Sequence, residues 1–212
     1  MIVIGGAMGL GKSTVAKLLG EHFNSDVFYE SVDDNPILPL FYTASEEEIQ
    51  AKRYPFLLQL YFLKTRLQSI KKASNNDKNI LDRSIYEDAY FCKKNVDLGR
   101  ISELEYDIYI GLLNEMMEEI NEIQKRPRLM IYLKGSFETM INRIKLRGRE
   151  YELDDELLDY YYHIWCDYDN WIFNEYKESE IIVIDMDNID IVNNKEDREK
   201  VIQMVEEKLK TL

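Results

Sequence analysis

Cysteine is scarce in this 212-residue sequence, and long apolar segments are missing altogether. Cys92 and Cys166 have no paired spacing, so we expect reduced thiols in a cytoplasmic protein. No apolar run approaches the roughly 18 residues of a membrane-spanning helix, so we expect no membrane span. Because an apolar strand pattern starts at Met1, we also expect no signal peptide.

The sequence also lacks internal repeats, low-complexity segments and linkers rich in proline or glycine, which predicts a single domain over residues 1–212. Positive charge is in the minority, since 27 lysines and arginines against 40 aspartates and glutamates give a net charge of −13. This balance disfavours binding to nucleic acid polymers, which requires a basic face. A polyanionic ligand therefore has to meet local cations, which are concentrated in residues 143–149.

The most informative motif follows the apolar residues 1–4 and matches the G-x-x-x-x-G-K-[ST] pattern of a phosphate-binding loop. Its glycines let backbone N–H groups turn towards phosphates, and the N-terminus of the following helix favours negative charge. In this pattern Lys12 reaches the β- and γ-phosphates, and Ser13 binds Mg²⁺. The predicted nucleotide-binding residues of the loop are Gly6, Ala7, Met8, Gly9, Leu10, Gly11, Lys12, Ser13 and Thr14.

Short apolar stretches alternate with helical ones along the chain, which is typical of a doubly wound α/β fold. The short stretches are continuously apolar, which predicts a parallel sheet with helices on both faces. Predicted strands cover residues 1–5, 26–30, 78–82, 128–134 and 181–185. Predicted helices cover residues 12–23, 46–73, 84–96, 102–124, 136–147, 154–176 and 195–210.

Doubly wound sheets bind ligands at the carboxyl ends of their strands. The segments at that edge are residues 5–13, 30–34, 82–88 and 135. Asp82 ends the third predicted strand and can hold Mg²⁺, while Arg83 can neutralise a transferring phosphoryl group. Ser84 and Glu87 can at the same time form a capping box. Glu30 either accepts a proton from an attacking hydroxyl or only faces solvent at the end of its strand.

The basic segment lies at the end of a predicted helix. Arg143 and Arg147 are four residues apart and share a helix face, Gly148 ends the helix, and Arg149 follows. Such a segment can close over phosphates and exclude water, so we interpret residues 143–152 as a lid. The alternative is a solvated basic helix end, which the helix dipole also favours.

Two predicted helices, 46–73 and 102–124, are apolar over more than one face. Each is either buried within the monomer or presents one face to a second copy of the chain, and periodicity favours neither alternative.

Residues 194–197 match the guanine-recognition pattern N-K-x-D of GTPases. They follow no strong strand, and the chain contains no D-x-x-G motif. We therefore interpret Asn194 as the N-cap of the last helix.

Together these motifs resemble the deoxyribonucleoside kinase family, in its bacterial deoxyadenosine/deoxyguanosine kinase branch. The resemblance covers nearly the whole chain, from the phosphate loop through residues 82–88 to residues 143–152, and includes Asn35 and Pro36 after Glu30. It implies a P-loop kinase that uses ATP and Mg²⁺ to phosphorylate the 5′-hydroxyl of a 2′-deoxyribonucleoside, with purine nucleosides favoured. It also implies a role in nucleotide salvage and a homodimer formed through the long helices.

The resemblance assigns catalytic roles to Glu30, which activates the 5′-hydroxyl, and to Arg83, which positions Glu30 and the 5′-oxygen. Lys12 completes the catalytic group, and Asp82 lies near the Mg²⁺ that Ser13 binds. Donor phosphates are contacted by the lid arginines, which are Arg143, Arg147 and Arg149.

The resemblance assigns recognition of the base to Gln59, Arg66 and Asp88, and contact with the sugar 3′-hydroxyl to Tyr42 and Glu152. Three positions depart from the family pattern. Ser31 stands where the family has proline, and the segment between Tyr42 and Gln59 is several residues longer. The base-stacking aromatic aligns with Cys92, so either the adjacent Phe91 stacks on the base or another residue does.

Two other functions remain as alternatives. The first is a nucleoside monophosphate kinase of the thymidylate kinase type, which needs cations for an acceptor phosphate. Here Glu30, Asp33 and Asp34 crowd the acceptor region with negative charge and favour an uncharged acceptor. The second is a nucleotide-binding regulatory module without catalysis.

Overall fold

The strands form one parallel sheet in the order β2–β3–β1–β4–β5, as a doubly wound fold requires. The computed structural model describes residues 1–120 and 126–212. The central strand β1 is buried along its whole length because helices cover both faces of the sheet. The strands are β1 (Ile2–Gly5), β2 (Val27–Phe28), β3 (Ile80–Asp82), β4 (Leu129–Lys134) and β5 (Glu180–Asp185).

The helices alternate with these strands and agree with most of the predicted positions. They are α1 (Lys12–Phe23), α2 (Leu38–Thr43), α3 (Glu46–Lys52), α4 (Tyr54–Ala73), α5 (Ile85–Asp97), α6 (Glu103–Ile120), α7 (Phe137–Arg147), α8 (Leu158–Cys166), α9 (Tyr168–Asn170) and α10 (Lys195–Lys210). Shorter helical turns cover Glu150–Glu152, Asp155–Leu157 and Trp171–Glu175. No helix within these described ranges is both long and apolar enough to cross a membrane.

The prediction of one continuous helix over residues 46–73 is wrong. Arg53 has a left-handed backbone with a φ of 54° and separates α3 from α4. Pro55 follows in the first turn of α4, where its missing N–H costs no helical hydrogen bond. The side chain of Arg53 is held by Glu105 of α6, so a tertiary contact stabilises the break.

The prediction of one helix over residues 154–176 is also wrong. This segment divides into a short turn, α8, α9 and a wider π-type turn. Of the helix predicted over 102–124, the structure gives Glu103–Ile120, and residues 121–124 lie outside the described residues.

Two smaller differences concern the segment after β1 and α1. Strand β2 is shorter than the predicted 26–30, so Glu30 lies in the loop that follows it. Helix α2 was not predicted. Its start is fixed by the side chain of Asn35, which accepts hydrogen bonds from the backbone N–H groups of Ile37 and Leu38 at 2.9 and 3.1 Å.

Helix starts next to the sheet edge follow the predicted capping chemistry. Ser84 and Glu87 form a capping box at the start of α5. Asn194 caps α10 by accepting from the N–H groups of Glu196 and Asp197, as expected. These caps fix where the chain leaves the sheet, and therefore where the site residues begin.

A candidate phosphoryl-transfer site at the carboxyl edge of the sheet

A cavity of about 1050 Å³ opens at the carboxyl edge of the sheet. The predicted residues that line it are Met8, Gly9, Gly11, Lys12, Ser13, Thr14, Glu30, Tyr42, Gln59, Asp82, Arg83, Asp88, Arg143, Arg147, Arg149 and Glu152. The predicted residues that lie behind this lining are Gly6, Ala7, Leu10 and Arg66. Asp33 lines the cavity, but Asp34 and Gly135 do not, so the expected acidic crowding comes from fewer residues than predicted.

The phosphate loop has the backbone that its glycines predict. Gly9 has a φ of 78°, and a Cβ at this position would lie 2.7 Å from the carbonyl oxygen of Met140. The Nζ of Lys12 donates to the carbonyl oxygens of Gly6 and Ala7, both at 3.0 Å. Burial, and then the charge of Arg83, lower the pKa of Lys12 to about 8. Lys12 is therefore a buried cation held within the loop that would receive the phosphates.

Asp82 lies beside the loop because β3 pairs with β1, with Asp82 opposite Ile4. Its Oδ2 accepts from Ser13 Oγ at 2.5 Å, whereas its buried Oδ1 has no hydrogen-bond partner among the described residues. Burial raises the pKa of Asp82. A buried carboxylate oxygen without a donor, next to a serine hydroxyl, fits a magnesium ion, which proteins hold with one or two carboxylates plus substrate phosphates.

Glu30 is held by two arginines. Its Oε1 accepts from Arg83 Nε at 2.8 Å and from Arg66 Nη2 at 3.1 Å. Burial alone raises the pKa of Glu30, but the charges of Arg83, Arg66 and Lys12 outweigh burial and lower it to about 2. The carboxylate is therefore ionised at any physiological pH.

Arg83 has a left-handed backbone, with a φ of 82°, which is unusual for a residue other than glycine. Its Nη1 donates to Glu87 at 3.2 Å and lies 3.5 Å from the Gly6 carbonyl oxygen. Its guanidinium lies 4.5 Å from the ring centre of Phe91. A left-handed backbone strains a residue with a side chain, and it persists only where surrounding contacts hold it. Such positions are common at active sites.

The expected base-recognition residues meet on the other side of Glu30. Arg66 donates through Nε and Nη2 to both oxygens of Asp88, at 3.0 and 3.2 Å, and through Nη1 to the Asp82 carbonyl oxygen at 2.7 Å. Gln59 is buried and lines the cavity. The pair is thus fixed before any ligand binds.

Phe91 and several other aromatic side chains line the cavity, so both alternatives for base stacking remain open. Phe91 lines the cavity, whereas Cys92 is fully buried in the core. The sequence did not single out the other aromatic side chains of the lining as site residues, which are Tyr29, Phe41, Phe62 and Tyr160.

Tyr42 and Glu152 both line the cavity, so the longer segment between Tyr42 and Gln59 does not remove Tyr42 from the site. The Glu152 carboxylate accepts from Arg147, and Arg149 lies 3.6 Å from it. Arg149 also reaches Asp33 at 3.0 Å. Two lid arginines are therefore bound to the expected sugar-contacting carboxylate.

The third lid arginine, Arg143, faces the phosphate loop. It donates to the carbonyl oxygens of Leu10 at 3.1 Å and Met186 at 2.7 Å. Met186 begins a cavity-lining loop, residues 186–193, that the sequence did not indicate. This loop could have been predicted, because it follows the carboxyl end of β5 and doubly wound sheets bind ligands at such ends.

Comparisons with known proteins show the family of this chain. The model of the deoxynucleoside kinase family matches residues 2–210. A deoxyguanosine kinase of Lactobacillus acidophilus is 45% identical over 99% of this chain and 91% of its own length. A deoxyadenosine kinase of the same species is 40% identical over 100% of this chain and 97% of its own length. The structure of deoxyadenosine kinase from M. mycoides with bound dCTP superimposes over 100% of both chains, with a TM-score of 0.80 and 27% identity. The fold, the cavity and these matches together establish that the chain belongs to the deoxynucleoside kinase family.

Proposed function

We propose that this chain transfers the γ-phosphate of ATP to the 5′-hydroxyl of a purine 2′-deoxynucleoside, as a step of nucleotide salvage. The proposal is supported by one observation: a phosphate-donor half and a nucleoside-acceptor half lie in the same cavity. Lys12 and the phosphate loop form the donor half, and Gln59 and Asp88 belong to the acceptor half. Glu30 contacts Arg66 of the acceptor half, and Arg83 contacts Gly6 of the donor half, so these two residues join the halves.

In the donor half, Lys12 exchanges its two carbonyl acceptors for the β- and γ-phosphates of ATP. The free Oδ1 of Asp82 and the hydroxyl of Ser13 support a Mg²⁺ site, where the ion supplies charge neutralisation of the phosphates. Arg147 and Arg149 leave Glu152 and turn to the donor phosphates when the lid closes.

In the acceptor half, Glu30 orients the 5′-hydroxyl by accepting its hydrogen bond. The arginines that lower its pKa keep this carboxylate ionised and able to accept that hydrogen bond. The loose transition state of phosphoryl transfer requires little charge on the attacking oxygen, so orientation of the hydroxyl is the main task of Glu30. Arg83 then lies next to both the carboxylate and the transferring group and stabilises their charge.

A purine base is supported by the buried Arg66–Asp88 pair and by relatives named as deoxyguanosine and deoxyadenosine kinases. Asp88→Ala is expected to reduce kcat/KM for deoxyadenosine and deoxyguanosine strongly, because it removes a proposed base contact and one of the two carboxylates that hold Arg66. Asp88→Asn keeps the volume and guards against a folding defect. Asp97→Ala, on the partly exposed end of α5, is the control. Full purine activity in both Asp88 variants would exclude this base site.

The decisive experiment measures coupled ADP release with ATP and Mg²⁺ across the four deoxynucleosides and their monophosphates. We expect turnover with purine deoxynucleosides and none in Lys12→Ala. Turnover with dAMP or dTMP alone would instead indicate a nucleoside monophosphate kinase. ATP binding without any acceptor-dependent ADP release would indicate a regulatory module. The names of the relatives do not favour either alternative.

We also propose that the chain is one catalytic domain, with its lid at residues 143–152, and that it forms a cytoplasmic homodimer. Leu104, Ile108 and Leu112 form an exposed apolar stripe on α6 at helical spacing. Leu57 on the neighbouring α4 is exposed as well. A stripe of this kind on a long helix supports association with a second copy. The unpaired Cys92 and Cys166 support a reducing compartment.

A further inference from the structure

Glu87 connects the donor loop to Arg83 through a single buried carboxylate. Its Oε1 accepts from the backbone N–H of Gly6 at 3.1 Å and from Arg83 Nη1 at 3.2 Å. The hydroxyl of Tyr168 donates to the same oxygen. Its Oε2 accepts from the backbone N–H of Ser84 at 2.7 Å, which completes the capping box. Capping therefore uses one oxygen, and the contacts to the site use the other.

Tyr168 reaches this carboxylate from the C-terminal part of the chain. Its hydroxyl also accepts from the N–H of Gly6 at 3.0 Å, so the first amide of the phosphate loop is shared between Tyr168 and Glu87. The ring is almost fully buried and packs against four aromatic rings, those of Tyr90, Phe91, Tyr132 and Trp171. The hydroxyl has little freedom to move, because the ring is fixed on several sides.

The arrangement has no space for a larger residue at the end of β1. A Cβ at Gly5 would lie 3.2 Å from the Glu87 carboxylate and 2.8 Å from the Met130 sulfur. The carboxylate thus packs directly under the turn from β1 into the phosphate loop. Any displacement of Glu87 would move the start of that loop and the guanidinium of Arg83 together.

We propose that Glu87 and Tyr168 are a positioning pair that keeps the start of the phosphate loop and the guanidinium of Arg83 in a fixed relation during phosphoryl transfer. The strained backbone of Arg83 does not aim the side chain alone, since its guanidinium is held by Glu30, Glu87 and the face of Phe91. Of these three contacts, the Glu87 carboxylate is the one that also binds the phosphate loop. The inference rests on the proposed roles of Arg83 and the loop in catalysis.

Tyr168→Phe is the sharpest test because it removes one hydroxyl and changes neither charge nor ring packing. Tyr90→Phe is the matched control, since the Tyr90 hydroxyl is also buried in the same aromatic cluster but donates to the carbonyl oxygen of Ile164 at 2.6 Å. Single-turnover rates isolate the chemical step from product release. We expect Tyr168→Phe to slow this step by about tenfold, below the roughly 10²-fold cost of a 1 Å misplacement. KM for the deoxynucleoside should change little, and Tyr90→Phe should keep the wild-type rate.

Glu87→Gln gives a second measurement. An amide has one acceptor oxygen, so it cannot serve Ser84 and the other three donors at the same time. If Glu87 and Tyr168 act as a unit, adding Tyr168→Phe to Glu87→Gln should not lower the single-turnover rate further. If they act independently, the fold-losses in rate of the two single variants should multiply in the double variant. Should Glu87→Gln fail to fold, the comparison of Tyr168→Phe with Tyr90→Phe still tests whether Tyr168 positions the phosphate loop.

The outcomes separate this inference from the proposed function. Equal single-turnover rates in Tyr168→Phe, Tyr90→Phe and the wild-type chain would overturn the positioning pair while leaving the kinase activity in place. Multiplied losses in the double variant would also overturn it as a unit. A wild-type chain that binds ATP but phosphorylates no deoxynucleoside would defeat the proposed function itself.

Discussion

At the scale of single residues, the site is a cluster of opposite charges that is buried except for the partly exposed Glu30. Its members are Lys12, Arg66 and Arg83 together with Glu30, Asp82, Glu87 and Asp88. Burying such charges costs desolvation energy that their attraction at best repays, so the cluster adds little to stability. Its value lies in fixed orientation, because each carboxylate is aimed by at least one cation or hydroxyl before substrate arrives.

Glu30→Gln is expected to lower kcat by about 10²–10⁴-fold, the usual contribution of a general base, while the fold persists. The fold should survive because Arg66 keeps Asp88 and Arg83 keeps Glu87 as partners. Steady-state kinetics with deoxyadenosine provides the measurement. Asp34→Asn makes the same chemical change in the same loop outside the cavity and should behave like the wild type. An unchanged kcat in Glu30→Gln would remove Glu30 from the mechanism.

The lowered pKa of Lys12 predicts that pH affects kcat/KM for ATP differently from kcat. In the nucleotide-free chain its pKa is about 8, so above that pH the side chain loses the charge that attracts phosphate. We expect kcat/KM for ATP to decline above about pH 8, because this ratio reports the free protein. Bound phosphates keep Lys12 charged, so kcat should stay level over the same range.

The lowered pKa of Lys12 also makes the free energy of unfolding depend on pH. The folded pKa of Lys12 is lower than the ordinary value of 10.5, so the unfolded chain binds more protons between about pH 8 and pH 10.5. The contribution of Lys12 to the free energy of unfolding therefore rises with pH in that window. A kcat/KM profile for ATP that begins to decline only near pH 10.5 would contradict the lowered pKa.

At the scale of elements, the site depends on where helices start and stop. The break at Arg53 orients α4, which carries Gln59 and Arg66, independently of α3. The division after α8 brings Tyr168 to the phosphate loop, whereas an uninterrupted helix would continue in its own direction. These breaks are held by contacts far away in sequence, such as the Arg53–Glu105 pair.

The cap of α10 offers an element-scale prediction. The Asn194 side chain accepts from Glu196 N–H at 2.9 Å and Asp197 N–H at 3.4 Å, and it does not line the cavity. Asn194→Ala should destabilise the fold by about 1 kcal/mol and lower Tm by roughly 2–4 °C, with kcat and the preference between ATP and GTP unchanged. Thermal unfolding and donor assays measure both effects.

Lys195→Ala is the control for this cap, since its side chain is exposed. It should leave Tm nearly unchanged. A change of donor preference in Asn194→Ala would revive the guanine-recognition interpretation of residues 194–197.

At the scale of the whole molecule, the charge is strongly negative, yet the lid and the phosphate loop collect cations around one cavity. The apolar stripe on α6 lies on the outside of the described monomer. The net charge keeps copies apart in general, so a specific apolar face is needed for association.

The proposed dimer is tested by Ile108→Glu, which puts a charge in the middle of the stripe. Ile108 is 56% exposed in the monomer, so the change should leave the monomer fold intact and shift the sedimentation coefficient from dimer to monomer. Leu212→Glu, also at an exposed leucine but at the C-terminus, should remain dimeric. A monomeric wild-type chain, or a dimer that tolerates Ile108→Glu, would exclude this interface.

Local chemistry was predictable from the sequence. The phosphate loop, the helix caps and the strand positions depend on residues close together in the sequence, where glycine, serine and asparagine have defined backbone effects. Glu30 and Arg83 were candidates from their places at strand ends, and family resemblance added the acceptor residues; all these roles remain proposals. In residues 46–73 the sequence did carry a signal for the break, because residues 46–53 are mostly charged and Pro55 marks a helix start. Nothing in the periodicity of residues 154–176 reports a break, because apolar spacing continues through that segment.

The sequence by itself determined that this protein has a nucleotide-binding loop at the edge of a parallel sheet. Only the tertiary structure decided that Phe91 rather than Cys92 faces the cavity, that Arg66 lies behind Asp88, and that Tyr168 and Glu87 bind Gly6. The physical reason is distance along the chain. The contacts of Arg66 with Glu30 and of Tyr168 with Gly6 join residues 36 and 162 positions apart, and such pairs are set by the packing of whole elements rather than by local pattern.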